Sequence, residues 1–562
     1  MENLAQKIRE QIAESVKKAI IKSKELGEMD IDEIPEIALE KPKEKVHGDY
    51  ATTVAMVLTK KLKKNPRLIA ETIVKNMDIS GTYIESVEIA GPGYINFRLK
   101  REWLYDLLKI IEREKEDYGK SDIGKGVKIQ VEFVSANPTG PMHIGNARGG
   151  ALGDVLASLL SAAGYEVERE FYINDAGNQV EKLGQSLEAR YLELLGIPSE
   201  IPEGGYHGED IIEYAKEFVE KDGDKYLDYP PSERQKIFTE YVLQKNIQKL
   251  KDDLKAYNIE YDVWFSERSL YESGEIYETI ELLKKSGYTY EKDGALWFKA
   301  TEFGVEKDEV LVRSNGIPTY FASDIAYHRN KFEKRGFDIV IDIWGADHHG
   351  HVPRLKGAMK ALGIDPERLQ VILMQLVRLF RNGEVVRMSK RTGKVITLRD
   401  LIDEVGTDAA RFFFNLRSYD SHLDFDLDLA VQESNENPVF YVQYAHARIC
   451  SILRNLAMEG VELKEIGDID LSVLKEEEEL DLIRKLSEYP DEIIQAAKKY
   501  EPHRITRYVL DLASLFHTFY NSCRVKNEDR NLMMARLVLV DCVRIVIKNV
   551  LDLMKISAPE KM

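Results

Sequence analysis

Ile129-Gln-Val-Glu-Phe-Val-Ser-Ala-Asn-Pro-Thr-Gly-Pro-Met-His-Ile-Gly-Asn146 decides the fold. Its first six residues, Ile129 to Val134, are an apolar strand-like run. The next twelve turn through small residues, and Ala147 to Ala163 reads as a helix. A strand that turns tightly into a helix N-terminus gathers backbone N–H groups and the positive end of a helix dipole at one spot, where phosphate binds well.

Working outward, Glu166–Tyr172 gives a second strand and completes a βαβ unit. The interval from roughly 180 to 300 is helix-rich and breaks the alternation, so it reads as an insertion. Phe337-Asp-Ile-Val-Ile-Asp-Ile-Trp344 resumes as a buried strand. Gly345-Ala-Asp-His-His-Gly-His351, a helix-like run Val352–Leu362 and a strand Leu369–Val377 follow. The expected fold class is α/β, a Rossmann-type parallel sheet whose ligands sit in loops at the strand carboxyl ends. Segments 135–146 and 345–351 both lie in such loops. A second basic segment, Arg387-Met-Ser-Lys-Arg391, runs on through Thr392, Gly393 and Lys394. It is placed to fold over a phosphate bound at the first.

On either side lie two further modules. Residues 1–115 read as an N-terminal α/β module. Within it Asn65-Pro66 starts a helix, and Val87 to Phe97 alternates like a strand broken at Gly91-Pro92-Gly93. A polar hinge at 117–128 contains three glycines. Residues 116–430 form the expected catalytic domain, with signature loops 136–146 and 387–391. Residues 431–562 are amphipathic and helical throughout. There is no internal repeat.

Composition bounds the function. At 562 residues, 44% hydrophobic and 31% charged, the chain is a globular protein of about three or four domains. Its three cysteines, Cys450, Cys523 and Cys542, make no CxxC pair and no metal-ligand spacing, which suits a reducing compartment. No apolar run reaches the roughly 18 residues a membrane span needs, and the first twenty residues lack the apolar core of a signal peptide. A cytoplasmic location is expected. The net charge of −18 weighs against nucleic acid, but local basic clusters stand at 60–67, 98–101 and 378–394.

The chemistry rests on a few side chains. Gly145 lets a flat base or phosphate approach the backbone. His143 can donate to a phosphate oxygen, and Ser389 and Lys390 can meet the same phosphate. Taken singly, His143 reads equally as a helix cap and the 387–394 segment as an exposed basic loop. Asp-His-His-Gly-His could suggest a metal, but no separate carboxylate–histidine cluster accompanies it.

Together the two segments resemble the paired signatures of class I aminoacyl-tRNA synthetases, His-Ile-Gly-His and Lys-Met-Ser-Lys-Ser. Asn146, Arg387 and Arg391 depart from that pattern. The flanks resemble the arginyl-tRNA synthetase form. These are Val131 to Asp154, Phe171-Tyr-Ile-Asn-Asp-Ala-Gly-Asn-Gln179, Pro318-Thr-Tyr-Phe-Ala-Ser-Asp-Ile-Ala-Tyr327, Trp344 to His351 and Asn437 to Arg448. The N-terminal module adds Gly48-Asp-Tyr-Ala51 and Ala90-Gly-Pro-Gly-Tyr-Ile-Asn96.

The resemblance implies residue roles. His143 and Lys390 act on the phosphate. His143, Gly145, Asn146, Gly345, Met388, Ser389 and Lys390 contact ATP. Glu132, Ser135, Asn137, Tyr320, Asp324 and His348 hold L-arginine, with Asp324 on the guanidinium, a cation that favours carboxylate partners. Tyr441, Gln443, Tyr444 and Arg448 contact tRNA, the N-terminal module meets the tRNA elbow, and the C-terminal domain binds the anticodon. Mg²⁺ accompanies ATP and no structural metal is expected. The partners are tRNA(Arg), arginine and ATP, with no membrane, and the chain is expected to act as a monomer. The family also requires tRNA to be bound before arginine is activated. Between Arg378 and Lys394 stand six basic residues against Glu384 alone, charges that repel one another until a polyanion is near. Three alternatives stand beside this reading. A class I synthetase for another amino acid is nearest, but for glutamate it would want basic pocket residues where Asp324 stands, and for cysteine zinc ligands. A small nucleotidyltransferase would not need the terminal modules. A non-catalytic tRNA-binding relative would have no reason to keep His143, Gly145 and Lys390 together.

Overall fold

The structure is a computed structural model that describes residues 3–42, 44–386, 396–463 and 466–562. Its N-terminal module is a three-stranded antiparallel sheet, β1 (Tyr50–Thr52), β2 (Ile84–Ala90) and β3 (Tyr94–Leu99), in the order β1-β3-β2. Helices Leu4–Glu25, Val54–Leu62 and Pro66–Asn76 accompany it. The expected break at Gly91-Pro92-Gly93 is the hairpin turn between β2 and β3. Asn65 caps the third helix by accepting from Arg67 N–H at 2.8 Å, with Pro66 in its first turn.

At the centre is a five-stranded sheet of β4 (Lys128–Glu132), β5 (Glu166–Ile173), β6 (Val263–Ser266), β10 (Ile339–Gly345) and β11 (Leu369–Met374). Every pairing is parallel, in the order β11-β10-β4-β5-β6. From β4 the chain winds one way through β5 and β6, then returns on the other side through β10 and β11. The crevice between the carboxyl ends of β4 and β10 is therefore the topological switch point, where such sheets bind ligands.

The interval 180–300 is not one helical block. Helices Asn178–Leu194, Glu209–Asp222 and Pro231–Ala256 form a bundle with its own aromatic core. The chain then returns to the central sheet as edge strand β6. Next comes a small antiparallel sheet of β7 (Thr289–Lys292), β8 (Ala295–Phe298) and β9 (Glu309–Val312). Four residues, Val-Trp-Phe-Ser, are too few for strand periodicity to show in sequence. The expected strand over Leu369–Val377 is likewise two. β11 ends at Met374, and β12 (Val377–Arg381) joins β13 (Glu384–Val385) and β14 (Leu423–Asp426) in a separate sheet.

Helices Pro438–Met458, Glu477–Leu486, Tyr489–Lys499, His503–Ser522 and Arg530–Leu553 build the C-terminal domain. One hydrophobic core runs from the N-terminal module through the central sheet into this bundle. Ion pairs Arg9–Asp491 (2.6 Å) and Lys45–Asp481 (2.7 Å) dock the first module directly on the last.

Candidate active site

The signature turn begins early. β4 ends at Glu132 because Val134 (φ 69°) and Ser135 (φ 39°) turn through the left-handed region. That conformation is costly for a β-branched valine and needs outside support. Tyr261 O–H donates to the Phe133 carbonyl (2.9 Å). Ser135 Oγ donates to Glu132 Oε1 (2.9 Å) and accepts from Tyr172 N–H (3.1 Å). The helix that follows, Ile144–Ala162, lies close on β4. A Cβ on Gly153 would fall 2.2 Å from the Phe133 ring, so only glycine permits that approach.

His143 caps this helix. Its Nδ1 accepts from Gly145 N–H at 3.1 Å, while Asn146 Oδ1 accepts from His143 N–H at 3.0 Å, a capping box made by both sequence-expected residues. Desolvation by surrounding protein lowers the His143 pKa, so the ring is neutral at pH 7. With Nδ1 already accepting, the proton resides on Nε2, which is left as a donor. Gly145 leaves room for the imidazole, since a Cβ there would stand 3.0 Å from His143 Cε1. Asn146 thus keeps a role in the turn that its departure from histidine does not disturb.

Beneath the turn, the register sets Asp342 of β10, Glu132 of β4 and Glu170 of β5 side by side on one face of the sheet. Three adjacent buried carboxylates demand cations. The helix Tyr320–Arg329 supplies them by running on into a π-turn, Asn330–Lys334. Lys331, fully buried, bonds Glu132 Oε2 (2.6 Å) and Asp342 Oδ1 (3.1 Å). Tyr327 O–H donates to Glu132 (2.8 Å) and also to Glu170. His328 Nε2 meets Asp342 Oδ2 at 2.7 Å, and Arg335 pairs with Glu168 and Glu170. Burial lowers the Lys331 pKa, but its acidic neighbours outweigh that and it stays charged. Burial pushes Glu132 up, with Lys331 opposing. Both Glu132 oxygens are engaged by protein. None of Tyr327, Lys331 or Arg335 was marked by sequence reasoning, and each lies far along the chain from its partner.

Asp324 lies on the same helix, its side chain 35% exposed, and its Oδ2 stands 2.9 Å from His351 Nε2. Tyr320, expected on the same face, is half exposed, and its O–H stands 3.2 Å from where a Cβ on Gly177 would be. His348, the histidine expected at this pocket, is instead exposed beside Asp347. The structure brings His351 to Asp324, three residues further along. Across from Asp324 is Glu267, a buried carboxyl at the carboxyl end of β6. Burial, then the charges of Asp324 and Asp175, push its pKa up to about 7, while hydrogen bonds to Tyr172 and Ser323 oppose this. Glu267 was not singled out from sequence. The one signal was an acid directly following an aromatic strand. Asn137 is exposed and donates to Gln179 Oε1 at 3.3 Å. Gly345 closes β10, and Met388, Ser389 and Lys390 lie outside the described residues. Among the described residues no group of three His, Cys, Asp or Glu could hold a metal ion, and no helix is long and apolar enough to cross a membrane.

In the C-terminal domain Tyr441, Tyr444 and Arg448 line a surface hollow of about 680 Å³ with Phe440, His517 and Asn521. The Arg448 guanidinium lies over the Tyr444 and Tyr520 rings at 4.5 and 4.6 Å. Gln443 faces elsewhere. Its amide donates to Asp408 Oδ2 and to the Ser557 carbonyl, both at 2.9 Å, gripping the chain's final segment.

A parallel sheet carrying this signature turn at its switch point defines a class I aminoacyl-tRNA synthetase catalytic domain. The family model for "tRNA synthetases class I (R), catalytic domain" matches residues 108–421. The models for the "Arginyl tRNA synthetase N terminal domain" and the "DALR anticodon binding domain" match 6–99 and 442–562. The arginine–tRNA ligase of Caldanaerobacter subterraneus subsp. tengcongensis is 66% identical over the full length of both chains. That of Acetivibrio thermocellus is 60% identical, also over both full lengths. The Thermus thermophilus arginyl-tRNA synthetase structure shares the fold at a TM-score of 0.75 and 23% identity, covering 99% of this chain and all of its own. The chain belongs to the arginyl-tRNA synthetase family.

Proposed function

We propose that this enzyme ligates L-arginine to tRNA(Arg) in two steps at the β4–β10 crevice. The arginine carboxylate attacks the α-phosphate of ATP, forming an acyl–phosphate bond as the α–β bridge breaks and pyrophosphate leaves with its Mg²⁺. The 2′-hydroxyl of the terminal adenosine of the tRNA then takes the arginyl group and AMP departs. The nucleophile of the first step is already ionised, so positioning and charge stabilisation carry the rate. His143 Nε2–H, the helix N-terminus behind it and Lys390 act on the phosphate. Ser135 and Asn137 orient the amino-acid end, Tyr320 lines the side-chain pocket, and Met388, Ser389 and Gly345 contact the nucleotide.

The observation that carries arginine as the substrate is the acidic pair Asp324 and Glu267, which no protein lysine or arginine neutralises among the described contacts. A guanidinium placed between them is a planar cation meeting two acceptors. The aromatic hollow at Tyr441, Tyr444 and Arg448 suits stacked bases of single-stranded RNA. The enzyme works as a cytoplasmic monomer.

Charging purified tRNA isoacceptors with labelled amino acids tests the reading. Only the arginine–tRNA(Arg) pair should react, and charging with another amino acid would replace it. Arginine-dependent ATP–pyrophosphate exchange should be nearly absent in the enzyme alone and appear with tRNA whose terminal ribose has been oxidised. Robust exchange without RNA would remove the loop-repulsion account.

A further inference from the structure

His351 is placed for more than filling space. Its ring lies between Phe321 (centroids 5.8 Å, 76°) and Trp344 (5.5 Å, 39°), so its orientation is set by packing. Its backbone precedes the helix Val352–Ala361, accepting from Leu355 N–H at 3.1 Å. From there Nε2 reaches only one described partner, Asp324 Oδ2 at 2.9 Å. Asp324 in turn has no other described ion-pair partner. One partly exposed carboxylate therefore meets a fixed imidazole and is felt by the buried Glu267 carboxyl.

We propose that His351 is a positioning and specificity residue of the arginine pocket, its ring fixing the Asp324 carboxylate and its second proton competing with the guanidinium for that carboxylate. The inference rests on the reading of Asp324 as the guanidinium's partner. With one proton, on Nε2, His351 donates a single neutral hydrogen bond. Asp324 then keeps its negative charge for the ligand. With two protons the ring is a cation, and the pair it forms with Asp324 supplies the charge that arginine would otherwise bring. Arginine binding then expels a proton from the ring to solvent. By linkage, arginine affinity falls toward acid, reaching about tenfold per pH unit for each proton expelled.

The charged groups around the ring are few. Asp324 comes from the neighbouring helix. Asp347 and His348 face each other at 3.7 Å on the exposed turn before it. Arg354, one turn along its own helix, is held by Glu309 of β9 at 3.1 Å. Glu267 lies across the pocket and feels Asp324 directly. Glu267 is the second group whose proton arginine displaces, so the experiment must separate the two.

Calorimetric titration of L-arginine into the full-length enzyme, in buffers of different ionisation enthalpy between pH 5.5 and 8, counts the protons released. His351→Gln keeps a donor for Asp324 but does not titrate. The parent should release up to one proton more per arginine than His351→Gln, because the Glu267 proton is common to both. His351→Gln alone should bind arginine at pH 8 within about threefold of the parent. Equal proton release with and without His351 overturns the proposal while leaving the pocket intact. Asp324→Asn with unchanged arginine affinity overturns the pocket reading itself, and the proposal with it.

Discussion

The backbone N–H of Leu398 donates to the carbonyl of Met142 at 2.8 Å. Beside it, His143 and Thr397 form an antiparallel bridge. The residue that ends the first signature turn is thus hydrogen-bonded to the residues that follow the second. The helix Leu398–Val405 continues from this joint and is capped by a box in which Thr397 and Asp400 each accept from the other's backbone N–H. Arg399 ties the same helix to Asp253 of the inserted bundle at 2.9 Å. The chain that follows the Arg387-Met-Ser-Lys-Arg391 segment is therefore fixed beside the first signature turn.

Thr397→Ala removes one half of that cap. Losing such a residue costs about 1 kcal/mol of local helix stability. Pyrophosphate exchange in the presence of tRNA should slow several-fold, with arginine affinity unchanged and only a small drop in melting temperature. A large loss of melting temperature with normal exchange would show that the joint serves folding alone.

Lys390→Ala should lower the charging rate by about 10²–10³, the usual cost of removing one preorganised stabiliser of developing charge. The KM for arginine should move little, because the proposed partner of this lysine is the phosphate. Steady-state kinetics with arginine varied decides it. Near-normal turnover would take the loop out of the mechanism.

Glu267 carries a stability cost beside its proposed role in the arginine pocket. Its folded-state pKa, about 7, lies above its ordinary value of 4.5. The stability tied to its proton is therefore fully present below the ordinary value and is lost as pH rises through about 7. Glu267→Gln should raise the melting temperature of the free enzyme at pH 8 by a few degrees, and the gap should close toward pH 4. The same variant should bind arginine far less well. A melting difference independent of pH would contradict the assignment of the raised proton to Glu267.

Asp154, buried within the signature helix, is met by Arg411 (2.6 Å), Lys555 (2.8 Å) and Arg169 (3.1 Å). Burial pushes its carboxyl up, but these three cations outweigh burial and hold it below the usual range. Its contribution is present above the ordinary carboxylate pKa and is lost as pH falls through the lowered value. Asp154→Asn leaves the fully buried Arg411 short of its counter-charge, at a cost of about 3–5 kcal/mol. Urea unfolding at pH 7 should show the midpoint shift, and the gap should narrow in acid. A shift of under about 1 kcal/mol would mean that water reaches the site.

Local signals in the sequence were reliable. The βαβ unit, the hairpin at Gly91-Pro92-Gly93, the proline-started helix and the cap at His143 all depend on residues within a turn or two of one another. The two synthetase signatures were legible for the same reason. Contacts between distant segments were not. Glu132 is expected from sequence to hold the substrate, and only the sheet register and the π-turn bring Lys331 onto it, 199 positions away. Within Asp347-His-His-Gly-His351 the sequence offers three imidazoles, and which one turns inward depends on where the helix after β10 begins. Gln443 sits among the aromatics of the surface hollow in sequence but half a helical turn away in space. Its amide therefore meets the C-terminal segment.

That segment has a consequence for how the enzyme is made. Asp154 waits for partners supplied 257 and 401 positions later in the chain. Ser557 bonds Asp408, and the Pro559 carbonyl meets His446 at 2.9 Å. During synthesis the signature helix emerges long before Lys555 does, so the nascent catalytic domain carries an incompletely neutralised buried charge until Lys555 has been added. A chain stopped before Lys555 would hold the whole signature turn but leave Asp154 with two of its three cations. Synthesis through Lys555 is thereby a condition of full stability for the helix that follows the signature turn.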